Sequence, residues 1–240
     1  PPPPPPPPGW RCAMKREERF AEAVGRADMC ELLGAAFAFP ERRVAEALAD
    51  GRLSADFASC CSDCGIDRAV VASVEGGLRA YAGRDADGLL GEVRREYSLL
   101  FLGPGATAPV LPYESAYLHA QRGRKGAPPL FRSASTLDVG RQMREAGMAP
   151  RDARREPCDS VFREFSFLSY LYGNLAATAW EENAEGEELI SDRIERFLEG
   201  HALRWMPSFM ERTAELSDGV YGPLAEGASA FFDVIRRPSA

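Results

Sequence analysis

Residues Glu96 to Leu118 read EYSLLFLGPGATAPVLPYESAYL, and the fold is decided there. Val93, Tyr97, Leu100 and Phe101 fall at i, i+4, i+7 and i+8, the spacing of one apolar stripe on a helix. Gly103-Pro104-Gly105 stops that helix, because proline cannot continue it and glycine permits the reversal. A proline-punctuated loop follows. Pro112-Tyr113-Glu114-Ser115 then opens a second apolar-periodic segment, so the unit is helix, turn, helix.

The same 3.6-residue period extends in both directions. Towards the N-terminus, Met29, Leu32, Leu33, Ala36 and Phe37 share a face, and Pro40 ends their helix. Val44 and Leu48 mark a short amphipathic turn closed by Asp50-Gly51. Val71, Val74, Leu78 and Tyr81 form another stripe, closed by Gly83. Asp87-Gly88 precedes the helix that carries Tyr97, and no alternating β-branched run flanks it to suggest a hairpin. Towards the C-terminus, Asp159 is placed to cap a helix bearing Val161, Phe165, Leu168, Tyr172 and Leu175. Ile190, Ile194, Phe197, Leu198, His201 and Trp205 make a second long stripe, expected to break near Pro207. A last apolar segment runs from Ala228 to Ile235. The expected class is all-α, as a bundle of two packed helical halves.

Residues 1–8 are proline only, a polyproline II pattern with no side chain to join a core, so 1–9 is set apart as a tail. The N-terminal half is then 10–118 and the C-terminal half 158–240. Between them, 119–157 is basic and flexible at Gln121 to Gly126. Ser135-Thr136-Leu137-Asp138 caps a short helix there that ends before Gly147. This segment reads as a hinge, able to fold back or to pass to a neighbouring chain, so a monomer or a domain-swapped homodimer is expected.

A hydrophobic fraction of 45% in 240 residues supplies a core without staples. The net charge of −7 argues against nucleic acid as partner, since phosphate binding needs clustered Lys and Arg. No apolar run approaches the ~18 residues of a membrane span, and no basic-then-apolar start marks a secretory signal, so no stable membrane association and a cytoplasmic location are expected. Cys60, Cys61 and Cys64 form a CCxxC cluster with neither histidine nearby in sequence. It reads as three thiols beside a loop rather than a metal site.

Catalytic chemistry finds little support. There is no phosphate-binding GxxxxGK[ST] loop, GxSxG elbow or HExxH helix, and Pro104 has no amide to donate to a phosphate. His201 lies on an apolar helical face, where a satisfied core histidine is the ordinary role. The pairs Glu181-Glu182 and Glu187-Glu188 read as solvated faces. No enzyme activity, cofactor or metal is expected.

The quoted run resembles the Y-x-x-L-F-x-G-P-G and P-Y-E-S pattern of the TorD/DmsD cytoplasmic chaperones, which mature molybdenum oxidoreductases. Pro157-Cys158-Asp159 followed by Glu164 resembles the family's E-P-x-D-H-x-x-x-E, with Ser160 where histidine is usual. Phe197-Leu198, His201, Leu203, Trp205, Pro207 and Phe209 are similar to its F-L-x-x-H-L-x-x-W-x-P-x-F. The resemblance implies a chaperone whose partners are a twin-arginine signal peptide and the apo catalytic subunit of a molybdoenzyme. It implies a peptide-binding site from Tyr97, Leu100, Phe101, Gly103, Pro104, Pro112, Tyr113, Glu114, Ser115, Asp159 and Glu164, with carboxylates meeting the leader's arginines. Alternatives are a nitrate-reductase-type assembly chaperone for a cytoplasmic client, a weak nucleotide-binding or hydrolysing switch, and a helical interaction module with no export role.

Overall fold

The computed structural model describes residues 10–103, 108–126, 128, 130–149 and 155–236. Among them the chain is all-α: no strand occurs, and one isolated bridge pairs Tyr113 with Ser160. The proline tail and Pro104 lie outside the described residues.

Helix α1 (Trp10–Phe37) buries Met29, Leu33, Ala36 and Phe37 along the expected face and ends before Pro40. Helices α2 (Arg42–Ala49), α3 (Arg52–Asp63) and α4 (Arg68–Arg79) follow as short amphipathic segments. The thiols sit at the end of a helix and border the turn that follows it. Cys60 and Cys61 lie on α3 and Cys64 is its C-cap, all turned inward or half-buried. Gly65 closes α3 at φ 71°: its amide bonds Ser62 O while the amide of buried Ile66 bonds Cys61 O. That is a Schellman ending, which needs a left-handed residue and an apolar one after it. Burial pushes the Cys60 thiol up to about 11 and those of Cys61 and Cys64 up to about 12, so all three stay protonated. Among the described residues no group of three or more His, Cys, Asp or Glu is arranged to hold a metal.

Helix α5 (Ala86–Phe101) begins where Asp85 accepts the Gly88 amide at 2.7 Å, so Asp87 and Gly88 lie in its first turn instead of preceding it. Helices α6 (Glu114–Gln121) and α7 (Ala134–Glu145) come next, α7 being capped by Ser133, not by the Ser135–Asp138 run. Helix α8 (Val161–Trp180) is central: α1 packs along one side of it and α9 (Ala184–Phe197) on another. The expected break at Pro207 falls elsewhere. A π-helical turn, Leu198–Ala202, interrupts the path, and α10 (Leu203–Leu216) carries Pro207 inside it. Helix α11 (Tyr221–Ile235) packs on α10 and α4.

Buried side chains of both halves form one continuous core. Phe37 meets Phe209 with ring centroids 6.0 Å apart, and Phe101 meets Tyr221 at 5.2 Å, so aromatic rings from α1, α5, α10 and α11 interlock. Glu96 of α5 adds a polar tie. Its carboxylate accepts the Val220 amide at 2.9 Å and the Ser217 hydroxyl at 2.5 Å, capping the start of α11 from another helix. A Cβ on Gly219 would meet that carboxylate, so any larger residue would have to push the Glu96 side chain aside.

Candidate functional site

The PYES segment starts α6 without a cap of its own. Tyr113 holds the N-cap position in extended backbone, and its side chain makes no cap bond. The cap comes from α8's approach. Asp159 Oδ2 accepts the Ser115 amide at 2.9 Å, and Oδ1 accepts the Thr136 hydroxyl at 2.8 Å. Asp159 was expected to cap α8; that position belongs to Ser160, whose side chain makes no cap bond. One buried carboxylate therefore joins α6, α7 and the start of α8. Backbone bonds reinforce the junction, from Glu114 N to Asp159 O and from Val161 N to Pro112 O, both 2.9 Å. Burial raises the Asp159 pKa, and the bonds from Ser115 and Thr136 pull against that rise.

One residue into α6, Glu114 is fully buried and its Oε2 lies 2.7 Å from His201 Nδ1. The other ring nitrogen of His201 lies 2.9 Å from Asp138 Oδ2 on α7. With an acceptor carboxylate at each nitrogen, both must donate, which calls for the imidazolium. Burial works against that charge, but the bonds to Glu114 and Asp138 outweigh it and raise the His201 pKa. Asp138 is half-exposed. Its partial burial is overcome by Arg141, Gln142 and His201, which hold its carboxyl well below the usual range. His201 lies within the π turn, and its ring reaches both carboxylates from there.

A second buried carboxylate lies beside the first. Glu164 accepts the Trp205 indole N–H at 3.1 Å on Oε2. Complete burial, and then the neighbouring Glu114 charge, push its pKa well up and favour the neutral acid. The remaining oxygen of Glu164 has no hydrogen-bond partner among the described residues. Arg204 approaches the remaining oxygen of Glu114 at 3.8 Å.

Of the expected peptide-binding residues, Tyr97, Leu100, Phe101, Pro112, Glu114, Asp159 and Glu164 are buried. Gly103, Tyr113 and Ser115 are half-buried, and the Tyr113 hydroxyl donates to Glu156. The structure thus brings Pro112, Tyr113, Glu114, Ser115, Asp159 and Glu164 together, as a frame beneath the surface. Exposed Leu102 and Phe39 lie beyond it, and Phe39 covers Tyr97 edge-on at 5.5 Å. Sequence reasoning missed Thr136 and Asp138 as partners in this network. The one available signal was their place opposite two unsatisfied elements, a capless α6 and a histidine on an apolar face.

Residues 67–211 match the family described as nitrate reductase delta subunit. That span begins at the N-cap of α4, ends within α10, and contains the whole network of Glu114, Thr136, Asp138, Asp159, Glu164, His201 and Trp205. No curated protein matches the chain. The match covers more than half of the chain: it belongs to the nitrate reductase delta subunit family, which agrees with the TorD/DmsD resemblance read from its motifs.

Proposed function

We propose that this member of an assembly-chaperone family holds the twin-arginine leader of an apo molybdopterin oxidoreductase in the cytoplasm until the cofactor is inserted. The family implies the coarser activity, molybdoenzyme assembly; the leader and the cellular location are our reading. Among the described residues no helix is long and apolar enough to cross a membrane.

The observation that carries the reading is the frame beneath the PYES segment. Asp159 fixes the start of α6 against α8 and the Glu114–His201 pair ties it to the π turn, so half-buried Tyr113 sits on a rigid support, with half-buried Gly103 and exposed Leu102 following the end of α5. A helix-forming leader laid on this rim buries three or four apolar side chains, worth roughly 1.5–3 kcal/mol each. Ordering the peptide takes back some 2–5 kcal/mol. Four side chains at the upper value, less about 4 kcal/mol for ordering, leave about −8 kcal/mol, about micromolar, which suits a holder that must release its client. In this reading Glu114, Asp159 and Glu164 act by holding the rim in place, with Tyr113 touching the peptide.

Calorimetry with the leader of a molybdoenzyme encoded beside this gene tests it. Binding with a negative heat-capacity change is expected. No heat at high micromolar leader would end the proposal. The family's description favours one second reading, a nitrate reductase catalytic subunit as client. An N-terminal peptide of such a subunit, lacking paired arginines, would then bind at least as tightly as a twin-arginine leader.

A further inference from the structure

The chain's charge is unevenly placed. Between Glu114 and Asp138 it has four cations, Arg122, Arg124, Lys125 and Arg132, and no carboxylate, so this stretch is +4 in a chain of net −7. All four are exposed, and among the described residues none is paired with a carboxylate. Two large apolar side chains stand with them: Phe131 is 45% exposed and Leu137, on α7, 59%. The nearest acids in sequence do not neutralise the group. Glu114 is buried, and Asp138 and Glu145 are both bonded to Arg141. On α10, which packs against α6, the charges of Arg204, Glu211, Arg212 and Glu215 cancel.

Folding accounts for only part of this pattern. Arg122 is the C-cap of α6, with Arg124 and Lys125 just beyond, where positive charge suits the negative end of the helix dipole. Arg132 is the opposite case. It directly precedes Ser133, the N-cap of α7, where a cation meets the positive end. Neither Phe131 nor Leu137 belongs to the buried core. The segment is nonetheless tethered to the helices on either side. His119 Nε2 donates to the Gly126 carbonyl at 3.0 Å, and the Thr136 hydroxyl lies 2.5 Å from the Leu130 carbonyl.

We propose that this face is a reversible docking surface for an anionic lipid bilayer, its four cations meeting headgroup phosphates while Phe131 and Leu137 enter the boundary beneath them. Cations beside exposed apolar side chains match that boundary, which is charged and wet on one side and apolar on the other. A bilayer needs no groove to receive it, and none of these six residues lines the clefts beside α1, α5 or α9. The acidic remainder of the molecule faces away, and beyond a Debye length of about 8 Å its repulsion is largely screened. Each Lys or Arg at such a surface raises partitioning about fivefold, so binding is reversible and salt-sensitive. None of the six residues belongs to the PYES frame, so the proposal stands independently of the leader reading.

Co-sedimentation of the full chain with vesicles at low salt tests it. Pure phosphatidylcholine is compared with a mixture in which about a third of the lipid is phosphatidylglycerol. The anionic vesicles are expected to bind at least tenfold tighter, with the gap closing as salt is raised. Arg124→Glu/Lys125→Glu should weaken that binding at least tenfold. Phe131→Ser, which leaves the charge alone, should weaken it at least threefold. All three positions are exposed, so both variants should melt within a few degrees of the parent. Equal binding to the two vesicle types, or unchanged binding by either variant, would overturn the proposal. So would a glutamate-rich peptide or a nucleic-acid oligomer bound as tightly as the anionic vesicles, since the face would then belong to that partner.

Discussion

The frame under α6 and the exposed face of α9 both concentrate carboxylates, and they use them in opposite ways. Glu114, Asp159 and Glu164 are wholly buried and draw donors from His201, Ser115, Thr136 and Trp205 of the same chain. Glu195 and Glu199 stand exposed on α9. A buried carboxylate must have its partner inside, because desolvation without one costs several kcal/mol. An exposed one keeps its charge for whatever arrives from solution. Acidic residues within a recognisable motif are therefore no guide to where a cationic partner docks. Burial decides which of the two roles each plays.

The largest expected effects lie in the frame. Glu114→Ala strands a buried His201 and should cost about 3–5 kcal/mol in urea unfolding. Trp205→Ala empties a fully buried site and should cost a similar ~3–5 kcal/mol. Losses below 1 kcal/mol for both would erase the contrast between buried and exposed acid. Asp159→Ala removes a cap and a charged hydrogen bond and should cost about 2–3 kcal/mol, with amide exchange quickening first in α6.

The pH dependence follows from the same network. His201 has a raised folded-state pKa, so its contribution is complete below the unfolded value near 6.5 and is lost as pH rises through the folded value. The groups facing it are Glu114 and Asp138, with Arg204 beside Glu114 and Arg141 on Asp138. Glu164, an acid with a raised folded-state pKa, acts in the same direction, since the unfolded chain gives up that proton first as pH rises. Stability should therefore fall from pH 6 towards pH 9, and His201→Gln should flatten the upper part of that slope. A stability that climbs across this window would contradict the assignment. At the small end, Tyr113→Ala should shift the melting midpoint by only a few degrees while weakening leader binding.

Much of this was legible before the fold was known. The stripes around Met29, Tyr97, Phe165 and Phe197 became helices because large apolar residues recur at the right spacing. Helix α3 was missed because its buried face is Ser54, Phe57, Cys60 and Cys61, which carries one large apolar side chain and so little periodic signal. Pro207 was expected to break a helix; the interruption is a π turn that begins nine residues earlier and leaves no residue signature. Asp159 sits where a local cap belongs and instead caps a helix 44 residues back in sequence. A side chain's choice between near and distant amides is settled by packing. The motif residues were found as a set, but their burial was not, because spacing reports which side of a helix a residue takes and not what covers it.

The central claim is that Glu114 and His201 act as one buried ion pair that holds α6 to the π turn. A double-mutant cycle tests it most directly, with Glu114→Ala, His201→Ala and the double variant unfolded in urea at pH 6. The account predicts a coupling of about 1.5–3 kcal/mol, the double variant losing far less than the singles together. Additivity within about 0.3–0.5 kcal/mol would mean that the two residues act separately, and the frame would not be what holds this junction.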